Sequence, residues 1–571
     1  MTAPNTSLAC AAAATLALVL APAPVSAASD LAASIRLVNV GSDVGLDVRV
    51  AHGGPAKRWI AEANGSGAAV LDFDGDGWMD IVIVSGSTME SLRAIAAGRR
   101  PANPGRGVHL FRNLEGRRFE DVTEEAGLTC PYWCTGANAA DFDNDGDPDV
   151  LVTAIGRDLL YRNEGGGRFA EVGQQAGLQE AHAWHTGSSF GDVDGDGDLD
   201  LYVAAYLGLE SLPVEGEPPS CDYRGLDVFC GPAQLEPAAD VLYLNNGDGT
   251  FSEASEQAGI RVPRPAYGFT PLIADFSGDG RPDIFVANDS SPNFLFVNRG
   301  SGSFREDALV AGLAYSGDGR TQADMGVCAA DYDGDADLDL LTTTFSEDHF
   351  PLFEQQAPGL FEDVSSRVGL RNLTVSLLGW GCGFADLDND GDPDLWIANG
   401  HVYPSAGNLA TTRYHQRIAI LENRAGRFRL PAQAVEEAPR NSYRGAASGD
   451  FDNDGGVDLL LLPIDGSPAL LRNRSRRPHS WIGLRLVAAG GNGEGIGARV
   501  EARFCGQTQA AAVRNGGSYL SRSDPRVHFG LGGCSEPGQV TVRWPDGPPQ
   551  VLGDVSVNQW LTVRGSRGPR R

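Results

Sequence analysis

The chain has 571 residues, 74 of them glycine, with 42% hydrophobic residues and a formal net charge of −30. That much apolar material supports a packed core and argues against general disorder, and the length calls for several domains or one large repeat architecture. The acidic balance excludes nucleic acid as a partner, since phosphate binding needs clustered Lys and Arg, and the single lysine, Lys57, leaves none for a P-loop or Schiff base elsewhere.

Residues 1–27 read as a secretory signal peptide. An apolar run from Leu8 to Ala21 precedes Val25-Ser26-Ala27, a small-residue cleavage site, although no Lys or Arg stands before the run. The run is shorter than the roughly 20 apolar residues a membrane-spanning helix needs, and no other stretch approaches that length. The expectation is an exported protein, secreted or periplasmic, with no transmembrane segment. Beyond Cys10 lie Cys130, Cys134, Cys221, Cys230, Cys328, Cys382, Cys505 and Cys534. An even number in an exported chain favours disulfides. Connectivity is not fixed by sequence. Nearest-neighbour pairing closes the shortest loops, with buried free thiols as the rival for Cys328 and Cys382.

From residue 28 to 475 the chain is dominated by a repeat. An Asp-rich nonapeptide opens at Asp72, Asp141, Asp192, Asp275, Asp331, Asp386 and Asp450. Each copy follows a small or apolar segment, such as Gly67-Ala68-Ala69-Val70-Leu71, and leads into a β-prone run such as Ile81-Val82-Ile83-Val84. Strand, tight acidic loop, strand is the plain reading. Most copies are followed by Leu-Tyr-x-Asn, a Gly-rich turn, a Phe and a stretch ending in Ala-Gly-Leu or Ala-Gly-Ile, as from Leu160 to Leu178. That adds two strands, so seven four-stranded units predict an all-β chain built as a seven-bladed β-propeller. The seventh unit lacks its last strand, and Ile35-Arg36-Leu37-Val38-Asn39-Val40 matches the missing piece, so the N-terminal strand is expected to close the ring.

The loops carry the chemistry. Positions 1, 3, 5 and 9 hold Asp72, Asp74, Asp76 and Asp80; Asp141, Asp143, Asp145 and Asp149; and Asp192, Asp194, Asp196 and Asp200 in the first three copies. The fourth holds Asp275, Ser277, Asp279 and Asp283, and the fifth Asp331, Asp333, Asp335 and Asp339. The sixth and seventh hold Asp386, Asp388, Asp390 and Asp394, then Asp450, Asp452, Asp454 and Asp458. Alternate carboxylates of a tight loop converge on one point, and Ca²⁺ takes six to eight such oxygens. Position 12 is never acidic, which separates these β-hairpin loops from EF-hands. Up to seven Ca²⁺ ions are expected. Ser277 should weaken the fourth loop, and Ala336, standing where the others have glycine at position 6, should strain the fifth. With calcium near 1 mM and a Kd of about 0.1 mM, each site adds about 1.4 kcal/mol, so the ions are expected to support the fold.

Residues 476–563 change pattern to a small β domain, as in the alternating Ala498-Arg499-Val500-Glu501-Ala502-Arg503-Phe504, and 564–571 form a basic tail. The acidic loops and their Phe-Gly and Gly-Ala surroundings resemble FG-GAP (VCBS) repeats, as in integrin α-subunit propellers. Gly495-Ile496-Gly497-Ala498-Arg499-Val500, Gly516-Gly517-Ser518-Tyr519-Leu520-Ser521, His528-Phe529-Gly530-Leu531-Gly532 and Trp544-Pro545-Asp546-Gly547 resemble the ASPIC/UnbV domain. The pairing is similar to the cartilage-acidic-protein-like family. The resemblance implies secretion, calcium binding and an integrin-α-like propeller followed by a small C-terminal β domain, and it suggests adhesion or matrix association by analogy of fold.

Enzymatic motifs are weak. Gly187-Ser188-Ser189-Phe190-Gly191 matches G-x-S-x-G but runs straight into the Asp192 loop instead of a helix. Cys130-Pro131-Tyr132-Trp133-Cys134 lacks the setting of a redox motif. His182, Trp184, His185, Trp380 and His401 are the residues that would build a site at the propeller channel, against the plainer reading that they are packed side chains. Two functions follow. One is a non-catalytic extracellular binding, adhesion or scaffold protein whose partner is a protein or a glycan. The other is an enzyme or carbohydrate-processing protein with a channel site.

Overall fold

The computed structural model describes residues 1, 35–102, 105–179, 182–431, 434–436, 439–475, 479–490, 492–545 and 547–565. The predicted signal peptide after residue 1, and the tail from residue 566, lie outside the described residues. Strands dominate, and the longest helix among the described residues is Met89–Ala96. No helix among them is long and apolar enough to cross a membrane.

Among the described residues, seven acidic loops join the first and second strands of seven sheets, each with four antiparallel strands, and Val435–Glu436 adds a fifth, parallel strand to the seventh. Sheet 1 runs Ala68–Leu71, Asp80–Val84, Val108–Leu114 and Arg118–Asp121. The first strands of sheets 2 to 7 are Trp133–Ala140, Ala183–Gly191, Tyr267–Ala274, Val327–Ala330, Gly379–Ala385 and Tyr443–Gly449. Sheets 2 and 3 are also joined by a short pairing of Trp184 with Ile155. The first strands pack against one another in order, and that of sheet 7 packs against that of sheet 1. The arrangement is propeller-like. Leu37–Asn39 pairs antiparallel with Ala469–Asn473, Leu37 opposite Asn473, so the N-terminal strand completes sheet 7. Apolar residues of both sheets fill the closing seam, among them Val50, Val70, Ile81, Ala447, Leu460 and Leu462.

Glycine and alanine line the inner strands because backbones meet there. A Cβ on Gly445 would lie 2.4 Å from the Ser66 carbonyl of sheet 1, and one on Gly67 would lie 1.6 Å from the Leu520 carbonyl oxygen. Leu520 belongs to the C-terminal β region, whose sheets are Trp481–Val487 with Val527–Gly530 and Trp560–Arg564, and Arg499–Phe504 with Gln507–Ala512, Gly538–Arg543 and Gln550–Val555. Its core merges with that of sheets 2 and 3.

Between these strands, residues 515–524 thread the centre of the ring. Ser189 Oγ donates to the Asn515 carbonyl, and the Ser518 amide donates to Val327 O at 2.6 Å. The Ala137 amide donates to Leu520 O, the Arg522 amide to Ala68 O and the Asp524 amide to Ser448 O. Gly516 bridges Leu272, and Ser518 Oγ donates to Ala446 O.

Three disulfides are present among the described residues, Cys130–Cys134, Cys221–Cys230 and Cys505–Cys534. Cys328 and Cys382 depart from nearest-neighbour pairing: both are buried free thiols, packed among Leu341, Leu395 and Ile397.

Candidate metal centres

Each acidic loop is built by its own hydrogen bonds. Position 1 accepts the position 6 amide through Oδ2 in all seven, from 2.7 Å (Asp450 with Gly455) to 3.1 Å (Asp72 with Gly77). Position 5 accepts the position 7 amide, as Asp76 does from Trp78 at 2.9 Å. Positions 4 and 6 are left-handed throughout, which explains Gly or Asn at position 4 and Gly at position 6. Ala336 is the exception at position 6 and takes φ 73°. Position 2 is buried and apolar or aromatic, from Phe73 to Phe451, and anchors the loop to the seam between sheets.

These bonds aim the remaining oxygens at one point. In loops 1, 2, 3, 5 and 6, one carboxylate oxygen from each of positions 1, 3 and 9 lies within 4.8 Å of the others: Asp72, Asp74 and Asp80; Asp141, Asp143 and Asp149; Asp192, Asp194 and Asp200; Asp331, Asp333 and Asp339; Asp386, Asp388 and Asp394. The position 5 aspartates Asp76, Asp145, Asp196, Asp335 and Asp390 fall outside those trios. Asp72 Oδ1, Asp74 Oδ1 and Asp141 Oδ1 are buried with no hydrogen-bond partner. A buried carboxylate oxygen without a donor is costly. Burial pushes Asp80 and Asp149 up to about 9, and Asp200 and Asp339 up to about 8, when protein atoms alone surround them. Asp141 and Asp450 rise to about 7 for the same reason. A hard divalent cation fits this donor set: it takes the open oxygens and supplies the charge that burial withholds. In loop 4, Ser277 removes the position 3 carboxylate, and its amide instead donates to Asp283 at 2.7 Å.

Position 9 does a second job. Its Oδ2 accepts the position 2 amide, as Asp80 does from Phe73, and its Oδ1 accepts the amide of an Asn or Gln on the third strand. Those residues are Asn113, Asn163, Asn245, Asn298, Gln355, Asn423 and Asn473, at 2.7–3.0 Å. Each then donates its side-chain amide to the position 2 carbonyl of the preceding sheet: Asn163 to Phe73, Asn245 to Phe142, Asn298 to Val193, Gln355 to Phe276, Asn423 to Tyr332, Asn473 to Leu387 and Asn113 to Phe451. The result is a closed circuit of seven inter-sheet bonds, each wired to a loop aspartate. The Asn of Leu-Tyr-x-Asn was visible as a repeat; its partner was not.

The channel residues do not converge on a site. Trp184 and Trp380 are buried with Tyr206, Phe269 and Tyr519. His185 Nδ1 pairs with buried Asp158, His401 Nδ1 accepts the Tyr403 amide at 3.1 Å, and His182 is exposed. Ser189 is buried and spent on Asn515. Residues 515–524 leave a cavity of about 230 Å³ beside them, lined among others by Leu272, Cys328, Cys382, Ser448 and Arg514, and none of the five predicted channel residues lines it.

The C-terminal region also sits over the acidic loops. Arg485 Nη1 lies 2.8 Å from Asp72 Oδ2, Trp560 Nε1 donates to Asp450 Oδ2, and Arg499 donates to Ala336 O. The Asn492 amide donates to Asn144 Oδ1.

Repeated acidic loops on propeller-like sheets, joined to this capping β region, define a class: the chain carries FG-GAP-like repeats and an ASPIC and UnbV domain. The FG-GAP-like repeat matches at residues 72–152, 141–203, 225–286 and 275–342, and the ASPIC and UnbV domain at 488–570. Loops 6 and 7 lie outside those matches but repeat the same bonds. The chain is similar to cartilage acidic protein 1 of Mus musculus, 25% identical over 521 residues, covering 84% of this chain and 70% of the relative. The Homo sapiens protein is 25% identical over 518 residues, covering 84% and 69%. A solved Agrocybe aegerita lectin, described as recognising non-reducing terminal N-acetylglucosamine, is 17% identical with a TM-score of 0.35, covering 70% of this chain and 86% of its own.

Proposed function

We propose that this is an exported, calcium-dependent binding or scaffold protein without catalysis, which presents its surface to an extracellular protein or glycan. The observation that carries the calcium reading is the convergence of position 1, 3 and 9 oxygens, with buried Asp72, Asp74 and Asp141 oxygens lacking any donor. Seven divalent ions would cancel about half of the net charge of −30. Calcium also acts on the fold in this reading, because position 9 holds both the ion and the inter-sheet circuit. Three disulfides favour an oxidising compartment, secreted or periplasmic. The dispersed histidines favour a binding role over an enzyme built on the predicted channel residues.

Thermal unfolding against free calcium, with calorimetric counting of bound ions, tests the reading. A melting temperature that rises steeply with calcium, with several ions bound, is expected. No shift and no bound ion would sink it, leaving the loops as hydrated hairpins.

A further inference from the structure

The side chain just before the third-strand amide differs between sheets: Arg112, Arg162, Leu244, Val297, Glu354, Glu422 and Arg472 in order. It lies beside the acidic loop and sets the charge the loop meets. Arg112 Nε lies 2.9 Å from Asp74 Oδ2, but its side chain is 33% exposed; Arg162 is 42% exposed, is held by Glu164 at 2.5 Å and reaches Asp143 only at 4.0 Å. Arg472 is buried, with its side chain 2% exposed. Its Nη1 lies 2.5 Å from Asp452 Oδ2 and its Nε 3.4 Å from Asp458 Oδ2. Arg474 Nη1 adds a second guanidinium 3.6 Å from the same Asp452 oxygen. A guanidinium keeps its charge in a protein, so loop 7 carries a permanent internal cation between positions 3 and 9. Sheets 3 and 4 place only Leu244 and Val297 there.

We propose that loop 7 takes no divalent cation, because the buried Arg472 spans positions 3 and 9 and supplies the counter-charge from within, while loops without a buried arginine at that place depend on an ion. This rests on the calcium reading above. A divalent ion sharing Asp452 with the guanidinium would be repelled at short range in a partly buried site, where the repulsion is poorly screened. Asp452 Oδ1 is buried without a hydrogen-bond partner and marks the space an ion would enter once the guanidinium is gone. By its acids alone, loop 7 is complete; the residue that closes it stands on the third strand.

The test counts bound calcium in the full chain by native mass spectrometry for the wild type, Arg472→Leu and Asp452→Asn. Leucine is what sheet 3 carries at this place, as Leu244. Arg472→Leu is expected to bind one ion more than the wild type, and Asp452→Asn the same number as the wild type. One ion fewer in Asp452→Asn, or no gain in a folded Arg472→Leu, overturns the proposal. Should Arg472→Leu fail to fold, the Asp452→Asn count decides alone. A wild type that binds no calcium overturns the calcium reading itself; a gain of one ion in Arg472→Leu would still support the role of Arg472, and no gain would overturn both.

Discussion

At the residue scale, Ala336 shows what a repeat tolerates. Position 6 is left-handed in every loop, and only here does a Cβ occupy that conformation, with φ 73°. Such a residue costs roughly 1–2 kcal/mol, and glycine returns part of that through its extra freedom when unfolded. Ala336→Gly is therefore expected to stabilise the protein by about 1 kcal/mol. Urea unfolding checks it, and the gain should appear in calcium and in chelator alike, because the strain is in the backbone. Unchanged or lower stability would remove strain as the account of this position. The demand for glycine at position 6 was legible because six other copies print it. The matching demand at position 4, met by Gly75, Asn144 and Asn389 among others, was equally printed but hidden by two residue types sharing one conformation.

At the scale of elements, strands and loops were legible from alternation and spacing, and the candidate ligands from the 1, 3, 5, 9 pattern. What the spacing did not distinguish was division of labour among the aspartates. Position 9 reads as one more ligand, yet both its oxygens also hold backbone amides, and one of those amides belongs to a strand reached only after a loop of variable length. The Asn side chain reaches still farther: Asn423 Nδ2 donates to Tyr332 O, 91 positions earlier. Contacts of that span depend on how sheets stack, which no local pattern encodes. Asn423 Nδ2 also donates to Pro393 O, and its Oδ1 accepts the Gly426 amide. Asn423→Leu keeps the volume but strips all three bonds and strands a buried carbonyl, so a loss of about 2–4 kcal/mol is expected. Denaturant unfolding at saturating calcium measures it. A loss under 1 kcal/mol would show that the inter-sheet circuit adds little to stability.

At the scale of the whole fold, closure of the ring was legible because sheet 7 lacked a strand and the N-terminus offered one. The filling of the ring was not. Gly516-Gly517-Ser518-Tyr519-Leu520-Ser521 stands out in the sequence only through its resemblance to the ASPIC/UnbV domain, and only the structure shows its amides and carbonyls spent on the inner strands of several sheets. The space for it is kept by glycine. A side chain on Gly67 would drive its Cβ to 1.6 Å from Leu520 O, a backbone atom that cannot yield without moving the segment. Gly208 has nothing within 4 Å of its Cβ position and makes the control. In Gly67→Val the segment is expected to leave the ring centre. The Ser518 and Arg522 amides, which donate to Val327 O at 2.6 Å and Ala68 O at 2.8 Å, would then exchange hydrogen at least roughly tenfold faster than in the wild type or Gly208→Ala. Calcium stoichiometry should hold, since the acidic loops are built by bonds within each sheet and its neighbour. Wild-type protection of both amides in a folded Gly67→Val would mean that the ring widens to keep its filling, and that the C-terminal region is held by the acidic-loop contacts of Arg485 and Trp560 more than by the threaded segment.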